Sequence, residues 1–218
     1  MSEGACVWAI HSFETLPSTQ NHLADRIRTG AITQPTVVIA AHQTNGHGSR
    51  GNTWEGGEGN FFASIAVELT QLPQDLPIQA ASIYFGWIMR ETLRELGEDV
   101  WLKWPNDLYA NGSKIGGVIT QKLKTFLVVG IGINLKKNQN SYHALSTDIS
   151  PRTLLGAYLK QLEKFPEWKH LFSKFQIEFS LSRAFLSHHE DASISLHNAV
   201  LCDDGSLKIN DERMYSLR

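Results

Sequence analysis

Residues 37–67 read VVIAAHQTNGHGSRGNTWEGGEGNFFASIAV, and this stretch decides the fold class. The β-branched and apolar residues over 36–43 predict a buried strand, and residues 60–69 predict a second strand. Between them, the six residues that start at Gly46 match the dinucleotide-binding spacing G-x-G-x-x-G. A Rossmann turn must lead from a strand into a helix, whereas this segment leads into another strand. The match therefore does not indicate a dinucleotide-binding fold.

The glycine-rich segment itself predicts a ligand-binding loop. Residues 45–60 hold six of the 17 glycines, and so long a segment without regular structure is uncommon unless it is functional or disordered. Glycines allow backbone N–H groups to turn toward an anion. Arg50 adds a bidentate cation, and Trp54 adds a flat apolar face. We interpret the segment as a loop that orders over a ligand, with a plain surface loop as the alternative.

The rest of the chain predicts an α+β protein with mainly antiparallel strands. Residues 16–30 predict a helix that Ser18 or Thr19 caps and Gly30 ends. The other predicted elements are a helix over 78–96, strands over 100–104 and 125–134, a hairpin turn at Asn111-Gly112, and helices over 150–185 with a break near Pro166. Short strand patterns then predict a small C-terminal β unit. We therefore divide the chain into residues 1–184 and 185–218.

Polar residues follow two of the predicted strands. KWPNDL places Asn106 and Asp107 after the predicted strand over 100–104, which runs into Pro105, and oxygen donors of this kind suit Mg²⁺ bound to phosphates. The alternative is a turn in which Asn and Asp bond their own backbone. Lys114 precedes two glycines in an apolar strand, a pattern typical of close approach by a ligand. There it can stabilise negative charge, or it is an ordinary solvated hairpin lysine.

Composition excludes several other classes of protein. The 218 residues carry 20 basic and 22 acidic side chains. The chain therefore lacks the excess of basic residues that would indicate a nucleic-acid-binding protein. The two cysteines and nine histidines have no metal-ligand spacing, which argues against a zinc site and a disulfide framework. The N-terminus MSEGACVWAIHSF has no signal-peptide pattern, and no apolar run is long enough to span a bilayer. We expect a cytoplasmic protein that does not bind a membrane.

Six segments, taken in order, resemble the motifs of the biotin protein ligases. They read STQNHL, HQTNGHGSRGNTW, KWPNDL, KIGGV, GIGINL and a terminal DGSL…YSLR, and KWPNDL followed by KIGGV is the most specific combination. The resemblance implies a fold like that of class II aminoacyl-tRNA synthetases, with a mixed, mainly antiparallel sheet flanked by helices. A small SH3-like β domain follows. Because the first motif begins by Ser18, the resemblance implies the short form, which lacks a DNA-binding domain and binds no DNA.

The resemblance also implies a two-step reaction. The biotin carboxylate attacks the α-phosphate of Mg-ATP, which gives biotinoyl-5′-AMP and pyrophosphate. A lysine of a biotin carboxyl carrier domain, such as that of acetyl-CoA carboxylase, then attacks the anhydride and releases AMP. Biotin, ATP, Mg²⁺ and the carrier are therefore the implied ligands and partner. Relatives occur as monomers and dimers, so a homodimer stays open.

Each motif residue takes an implied role from the same resemblance. The implied catalytic residues are Lys114, Arg50 and Asp107. The implied biotin-binding residues are Ser18, Thr19, Gln20, Gln43, Gly46, His47, Gly48, Ser49, Lys114, Gly117 and Gly130. The implied ATP-binding residues are Arg50, Asn52, Trp54, Lys103, Asn106 and Asn134. The implied Mg²⁺ ligands, acting through phosphates, are Asn106 and Asp107.

The glycine-rich loop departs from the family pattern. The commonest family form is G-R-G-R-x-G-R-x-W, whereas this loop reads G-H-G-S-R-G-N-T-W. His47, Ser49 and Asn52 stand where arginines are usual, so we expect a weaker hold on biotin and on the adenylate. Two other functions stay open at this point. One is a lipoate or octanoate transferase of related fold, and the other is a binding protein that has lost catalysis.

Overall fold

The computed structural model describes residues 7–48, 52–54, 57–136, 144–189 and 192–215. Its main sheet contains β1 (Ala9–Leu16), β2 (Thr36–Gln43), β5 (Phe61–Glu68), β6 (Val100–Lys103), β7 (Asp107–Ala110), β8 (Ser113–Leu123) and β9 (Phe126–Ile133). The order of these strands is β1-β2-β5-β9-β8-β7-β6. The helices of the described part are α1 (Thr19–Arg28), α2 (Ala81–Glu95), α3 (Pro151–Leu162) and α4 (Trp168–Ser182).

The pairing of the strands confirms the predicted fold class. β1 runs parallel to β2, and the other neighbouring strands of the main sheet pair antiparallel. The sequence pattern missed β1, because this edge strand is mostly exposed and its apolar residues Ile10, Phe13 and Leu16 are three positions apart and do not alternate with polar ones. The predicted hairpin turn joins β7 to β8, with positive φ angles at Asn111 and Gly112.

The two faces of the sheet have different coverings. Odd-numbered residues of β5 and β9, such as Ile65 and Val129, lie in the main core, against which α2, α3 and α4 also pack. Even-numbered residues, such as Ala66 and Val128, face a smaller core that contains Leu23 of α1. Because α1 is only ten residues long, it covers only part of its face. The candidate site lies on this second face, beyond the N-terminus of α1.

Polar contacts hold both ends of α1. The Ser18 hydroxyl accepts a hydrogen bond from the Asn21 N–H at 3.3 Å, which identifies Ser18 as the N-cap. At the other end, the Lys124 ammonium donates to the carbonyl oxygens of Ile27 and Arg28. The predicted helix over 78–96 is a 3₁₀ turn (Ile78–Ala80) followed by α2.

Short strands complete the described residues. They are β3 (Gly46–His47), β4 (Thr53–Trp54), β10 (Leu186–His189), β11 (Ala192–Ser195), β12 (Val200–Leu201), β13 (Leu207–Ile209) and β14 (Glu212–Met214). Leu196, Leu207 and Met214 are buried in the main core, and the Trp104 indole donates to the Gly205 carbonyl at 2.9 Å. The division into residues 1–184 and 185–218 therefore stays a prediction, because the C-terminal strands share that core. No helix in the described ranges is long and apolar enough to cross a bilayer.

Replacing Glu98 with glutamine is expected to make the fold less stable at neutral pH. Burial alone would raise the pKa of Glu98, but hydrogen bonds from Thr147 and Ser146 hold it below its ordinary value of 4.5. A lowered pKa gives stability that is present above the unfolded pKa and is lost as pH falls through the folded pKa. The difference in melting temperature between Glu98→Gln and the unmodified protein should therefore shrink as pH falls below 4.5. A difference that stays constant down to pH ~3 would contradict this assignment.

Candidate active site

One row of residues crosses the exposed face of the sheet. Lys103 pairs with Asp107, Asp107 with Gly117, Gly117 with Gly132, and Gly132 with Phe62. Directly opposed residues of antiparallel strands project from the same face, so these five lie side by side. Because two adjacent members are glycines, the row contains a trench between Asp107 and Phe62.

Trp54 lies on the floor of this trench. A Cβ added to Gly132 would lie 2.6 Å from the indole Nε1, so no other residue fits beneath the ring. Gly46 is equally confined, because its Cβ would lie 2.6 Å from the Trp54 carbonyl oxygen and 2.8 Å from Gln43 Nε2. The close approach of a ligand predicted at the two glycines after Lys114 stays a prediction, and at Gly132 the approaching group is the Trp54 side chain.

A second row adjoins the trench and meets the N-terminus of α1. Gly130 pairs with Ile119 on one side and Ser64 on the other. A Cβ at Gly130 would lie 2.6 Å from the Gln20 side-chain oxygen, so α1 rests directly against this glycine. Ser64 lies 2.9 Å from the Thr19 hydroxyl.

The hydrogen bonds of Thr19 fix the orientation of Gln43. Gln43 Oε1 accepts from the Thr19 N–H at 2.7 Å and from the Thr19 hydroxyl at 3.0 Å. Since the Thr19 hydroxyl donates to Gln43, Ser64 must be the donor in its contact with Thr19. The Gln43 amide nitrogen is left as a donor beside Gly46.

Two lysines share one carboxylate at the other side of the trench. Lys114 Nζ lies 2.6 Å from Asp107 Oδ1, and Lys103 Nζ lies 3.6 Å from Asp107 Oδ2. Two ammonium groups against one carboxylate leave a formal excess of one positive charge. Lys103 is buried, and its ammonium also lies 5.8 Å from the centre of the Tyr109 ring. Burial, and then the Asp107 charge, raise the pKa of the Tyr109 hydroxyl, which stays protonated at neutral pH.

Asn106 spans the gap between β7 and β8. Its side-chain nitrogen donates to the Val118 carbonyl at 2.8 Å, and its own carbonyl accepts from the Val118 N–H at 2.9 Å. These bonds join Asn106 to the neighbouring strand β8. The Asn106 side chain is therefore not held by a bond to its own backbone, which was the alternative interpretation. The side-chain oxygen, which is not used in these bonds, is an acceptor that can face a cation.

The glycine-rich segment includes a short antiparallel pair, β3 with β4. The Gly48 N–H donates to the Asn52 carbonyl at 2.7 Å, and His47 Nε2 lies 2.7 Å from the Asn21 side-chain nitrogen. Ser49 and Arg50 lie outside the described residues, so their implied roles stay predictions.

The predicted site residues line two adjoining cavities. One, of about 40 Å³, lies at Ser18, Thr19, Gln20, Gln43, His47, Gly48, Trp54, Asn106, Lys114, Gly117 and Gly130. The other, of about 580 Å³, lies at Gln20, Gly48, Asn52, Lys103, Asn106, Asp107 and Lys114. Gly46 and Asn134 line neither cavity. Lys114 and Asn106 line both, so one continuous cleft passes the lysine pair.

In the part of the chain that the structure describes, four buried polar atoms in and beside this cleft have no hydrogen-bond partner. They are Gln20 Oε1, Trp54 Nε1, Asn60 Nδ2 and Asn134 Oδ1. Buried polar atoms are nearly always bonded in folded proteins, so such a cluster indicates ligand-binding positions. Two are acceptors and two are donors, which suits a ligand with polar groups of both kinds.

Sequence reasoning missed several residues of the cleft, among them one serine and two tyrosines. Ser64 is a polar residue inside the apolar strand FFASIAV, and that contrast was the available signal. Tyr109 follows KWPNDL by one residue and lines the larger cavity. Tyr215 lines the same cavity and begins the YSLR of the sixth motif, but it was given no role in the site.

More than half of this chain matches a known family of protein ligases. The family model of the Biotin/lipoate A/B protein ligase family matches residues 12–138, and the chain belongs to this family. Biotin–[acetyl-CoA-carboxylase] ligase of Mycobacterium tuberculosis is 32% identical over 126 residues, which are 54% of this chain and 46% of that protein. The bifunctional ligase/repressor BirA of Escherichia coli is 37% identical over 127 residues, 55% of this chain and 38% of that protein. The chain thus matches less than half the length of these curated relatives.

Solved structures match over nearly the whole chain. Biotin acetyl coenzyme A carboxylase synthetase from Helicobacter pylori, a structure with bound biotinylated ATP, is 36% identical with a TM-score of 0.92. The match covers 96% of this chain and 100% of that one. Biotin protein ligase from Aquifex aeolicus has a TM-score of 0.75 at 22% identity and covers 96% of both chains, which supports the fold.

Proposed function

We propose that the chain is a biotin protein ligase. It would join the biotin carboxylate to the α-phosphate of ATP, release pyrophosphate, and transfer biotin from biotinoyl-5′-AMP to a lysine of a carrier domain. One observation carries the proposal: a single cleft runs from a neutral hydrogen-bonding pocket at Thr19 and Gln43 to the lysine pair at Lys103 and Lys114. This order follows that of the ureido ring and of the carboxylate and phosphate in the adenylate.

The pocket at the N-terminus of α1 suits the ureido ring of biotin. That ring has one carbonyl acceptor and two N–H donors. Ser18 accepts from Asn21 through its oxygen and keeps its own hydrogen as a donor, and Gln43 keeps its amide nitrogen. Gln20 Oε1 is an acceptor without a partner. The pocket therefore offers both kinds of group to a neutral polar ring.

The lysine pair suits the meeting of two anions. A carboxylate and a phosphate repel each other, and positive charge held between them favours their approach. Lys114 borders both cavities and is held by Asp107, so it is the residue we assign to this position. Lys103 is assigned to the phosphates behind it.

The side-chain oxygens near the lysines fit a Mg²⁺ ion that is bound to the phosphates of ATP. Asp107 and the free oxygen of Asn106 make two such donors, and Mg²⁺ is usually held by one or two protein oxygens together with substrate phosphates. Among the described residues, no cluster of three or more His, Cys, Asp or Glu side chains suits a metal. A bound ion would neutralise phosphate charge beside Asp107.

The edge of β8 suits docking of the carrier. β8 pairs with β7 only as far as Gly117, and the described residues give 119–123 no partner on that side. The N–H and C=O of Val118 point outward to Asn106, so those of Thr120 and Lys122 point outward too. Thr120 also lines the larger cavity. An extended segment of the carrier can add here as a strand and bring its lysine toward Asp107, which would accept a proton. A second copy of this chain is the competing occupant.

The test is carrier modification by the purified chain. Incubation with ATP, Mg²⁺, biotin and a biotin carboxyl carrier domain should add one biotin to the carrier, measured by mass spectrometry. Parallel reactions with lipoate and octanoate separate the transferase alternative, which predicts modification by those acids instead. Absence of biotin-dependent pyrophosphate release would support the binding protein without catalysis and overturn the proposal.

Replacing Gln43 with alanine is expected to raise the KM for biotin by about tenfold or more. The change removes the amide nitrogen and leaves the Thr19 N–H without its acceptor, and an unmade buried bond costs ~1–3 kcal/mol. The KM for ATP should stay within about twofold, because Gln43 lies at the ureido end. Gln34→Ala, at an exposed glutamine before β2, is the control. Equal rises in both KM values would contradict the assignment.

A further inference from the structure

Asn60 and Asn134 come one position beyond the last residue pair of β5 and β9. β5 and β9 pair as far as Phe61 with Ile133, and the residues next to this pair are Asn60 before β5 and Asn134 after β9. The chains stay adjacent beyond that point, because the Lys136 N–H donates to Asn60 Oδ1 at 2.8 Å. Continued one residue past this pair, the alternation of the two strands would put both side chains on the face of Phe62 and Gly132.

The bond to Lys136 fixes which way the Asn60 amide points. A backbone N–H can only donate, so the oxygen of Asn60 must face Lys136 and the nitrogen must face away. Asn60 is 1% exposed, and its side-chain nitrogen has no partner. The fold therefore holds a buried donor in a set orientation.

Asn134 provides the complementary atom. Its backbone is held on both sides, since its N–H donates to Ile115 and its carbonyl accepts from Leu145. Its side-chain oxygen is buried and has no partner. An unpaired donor and an unpaired acceptor thus lie one position beyond the last pair of two neighbouring strands. Burying them without a ligand costs free energy, which indicates that a ligand binds both.

We infer that Asn60 completes the nucleobase site and selects adenine. This inference rests on the proposed function. Adenine presents an amino donor beside a ring-nitrogen acceptor, which matches the Asn134 oxygen and the Asn60 nitrogen. Guanine presents an oxygen acceptor where adenine has the amino group, and that oxygen would oppose the Asn134 oxygen. The Trp54 ring lies on Gly132, which is two residues, or about 7 Å, before Asn134 along the chain. A base bound at Asn134 could therefore stack on this ring.

The test combines one variant with nucleotides that lack one ring nitrogen. Asn60→Asp keeps an oxygen for the Lys136 N–H and loses the donor. Its KM for ATP in biotin-dependent pyrophosphate release should rise about tenfold while the KM for biotin is unchanged. On the unmodified protein, 7-deaza-ATP or 1-deaza-ATP should cause a similar rise. The variant should show no further rise with that analogue, and its preference for ATP over GTP should fall.

Several results would overturn the inference. One is an ATP KM for Asn60→Asp within about twofold of the unmodified value. Another is a KM rise with Asn60→Asp and the deaza analogue together that equals the product of the two separate rises. Such independent effects would mean that Asn60 does not contact the ring nitrogen. If Asn60→Asp does not fold, the analogues still decide, because full activity of the unmodified protein with both excludes a bond to either ring nitrogen. Failure of the unmodified protein to form adenylate with ATP would instead overturn the proposed function.

Discussion

Lys114→Ala is expected to lower the rate of biotin-dependent pyrophosphate release by about 10²–10³-fold. The ammonium group is the cation that borders both cavities, and Asp107 holds it at 2.6 Å. Without it, the biotin carboxylate and the α-phosphate meet with less compensating charge. Because that charge matters most where bonds change, kcat should fall more than the KM for either substrate rises.

The measurement should separate Lys114 from general loss of positive charge. Lys169→Ala is a suitable control, since Lys169 lies on α4 with an exposed side chain that pairs with Glu167 at 3.1 Å. Its activity should match that of the unmodified protein. Lys114→Arg should recover part of the rate, because it restores charge with a different shape. Pyrophosphate release by Lys114→Ala at more than about a tenth of the normal rate would contradict the assignment.

Local patterns predicted the individual parts of the site. Ser18 or Thr19 was expected as the helix cap because Ser and Thr are favoured there, and it is the Ser18 hydroxyl that accepts from Asn21. Gly130 and Gly132 lie in an apolar strand, a pattern typical of a close approach, and side chains of Gln20 and Trp54 lie directly on them. These predictions succeeded because a turn, a cap or a strand glycine is specified by a few adjacent residues.

The assembly of these parts could not be predicted from local pattern. The row from Lys103 to Phe62 depends on the register of five strands, and register is set by tertiary pairing. Ser64 and Asn60 were missed for the same reason, since each gains its meaning from a residue on another strand. The order of the motifs along the chain, which resembles that of a family, gave the function instead.

Arg90→Ala is expected to lower the free energy of unfolding by about 3–5 kcal/mol. The Arg90 guanidinium bonds the carboxylates of Glu91 and Glu178 and lies over the Trp87 ring at 4.5 Å. Glu178 is 9% exposed and also accepts from the Leu102 N–H at 2.8 Å, so the arginine joins α2, α4 and β6. Removing it leaves the buried Glu178 carboxylate without its cation.

Urea denaturation of three variants distinguishes a buried charge from lost packing. Arg94→Ala, one turn along α2, removes an exposed arginine that lies 3.8 Å from Asp99, and should cost less than about 0.5 kcal/mol. The double variant Arg90→Met with Glu178→Leu should be more stable than Arg90→Ala, because it leaves no buried charge unpaired. If Arg90→Ala falls within about 1 kcal/mol of Arg94→Ala, the network does not hold the helices to the sheet. If the double variant is instead the least stable, the geometry of the ion pair, and not only its neutrality, supports β6 and the Lys103 that ends it.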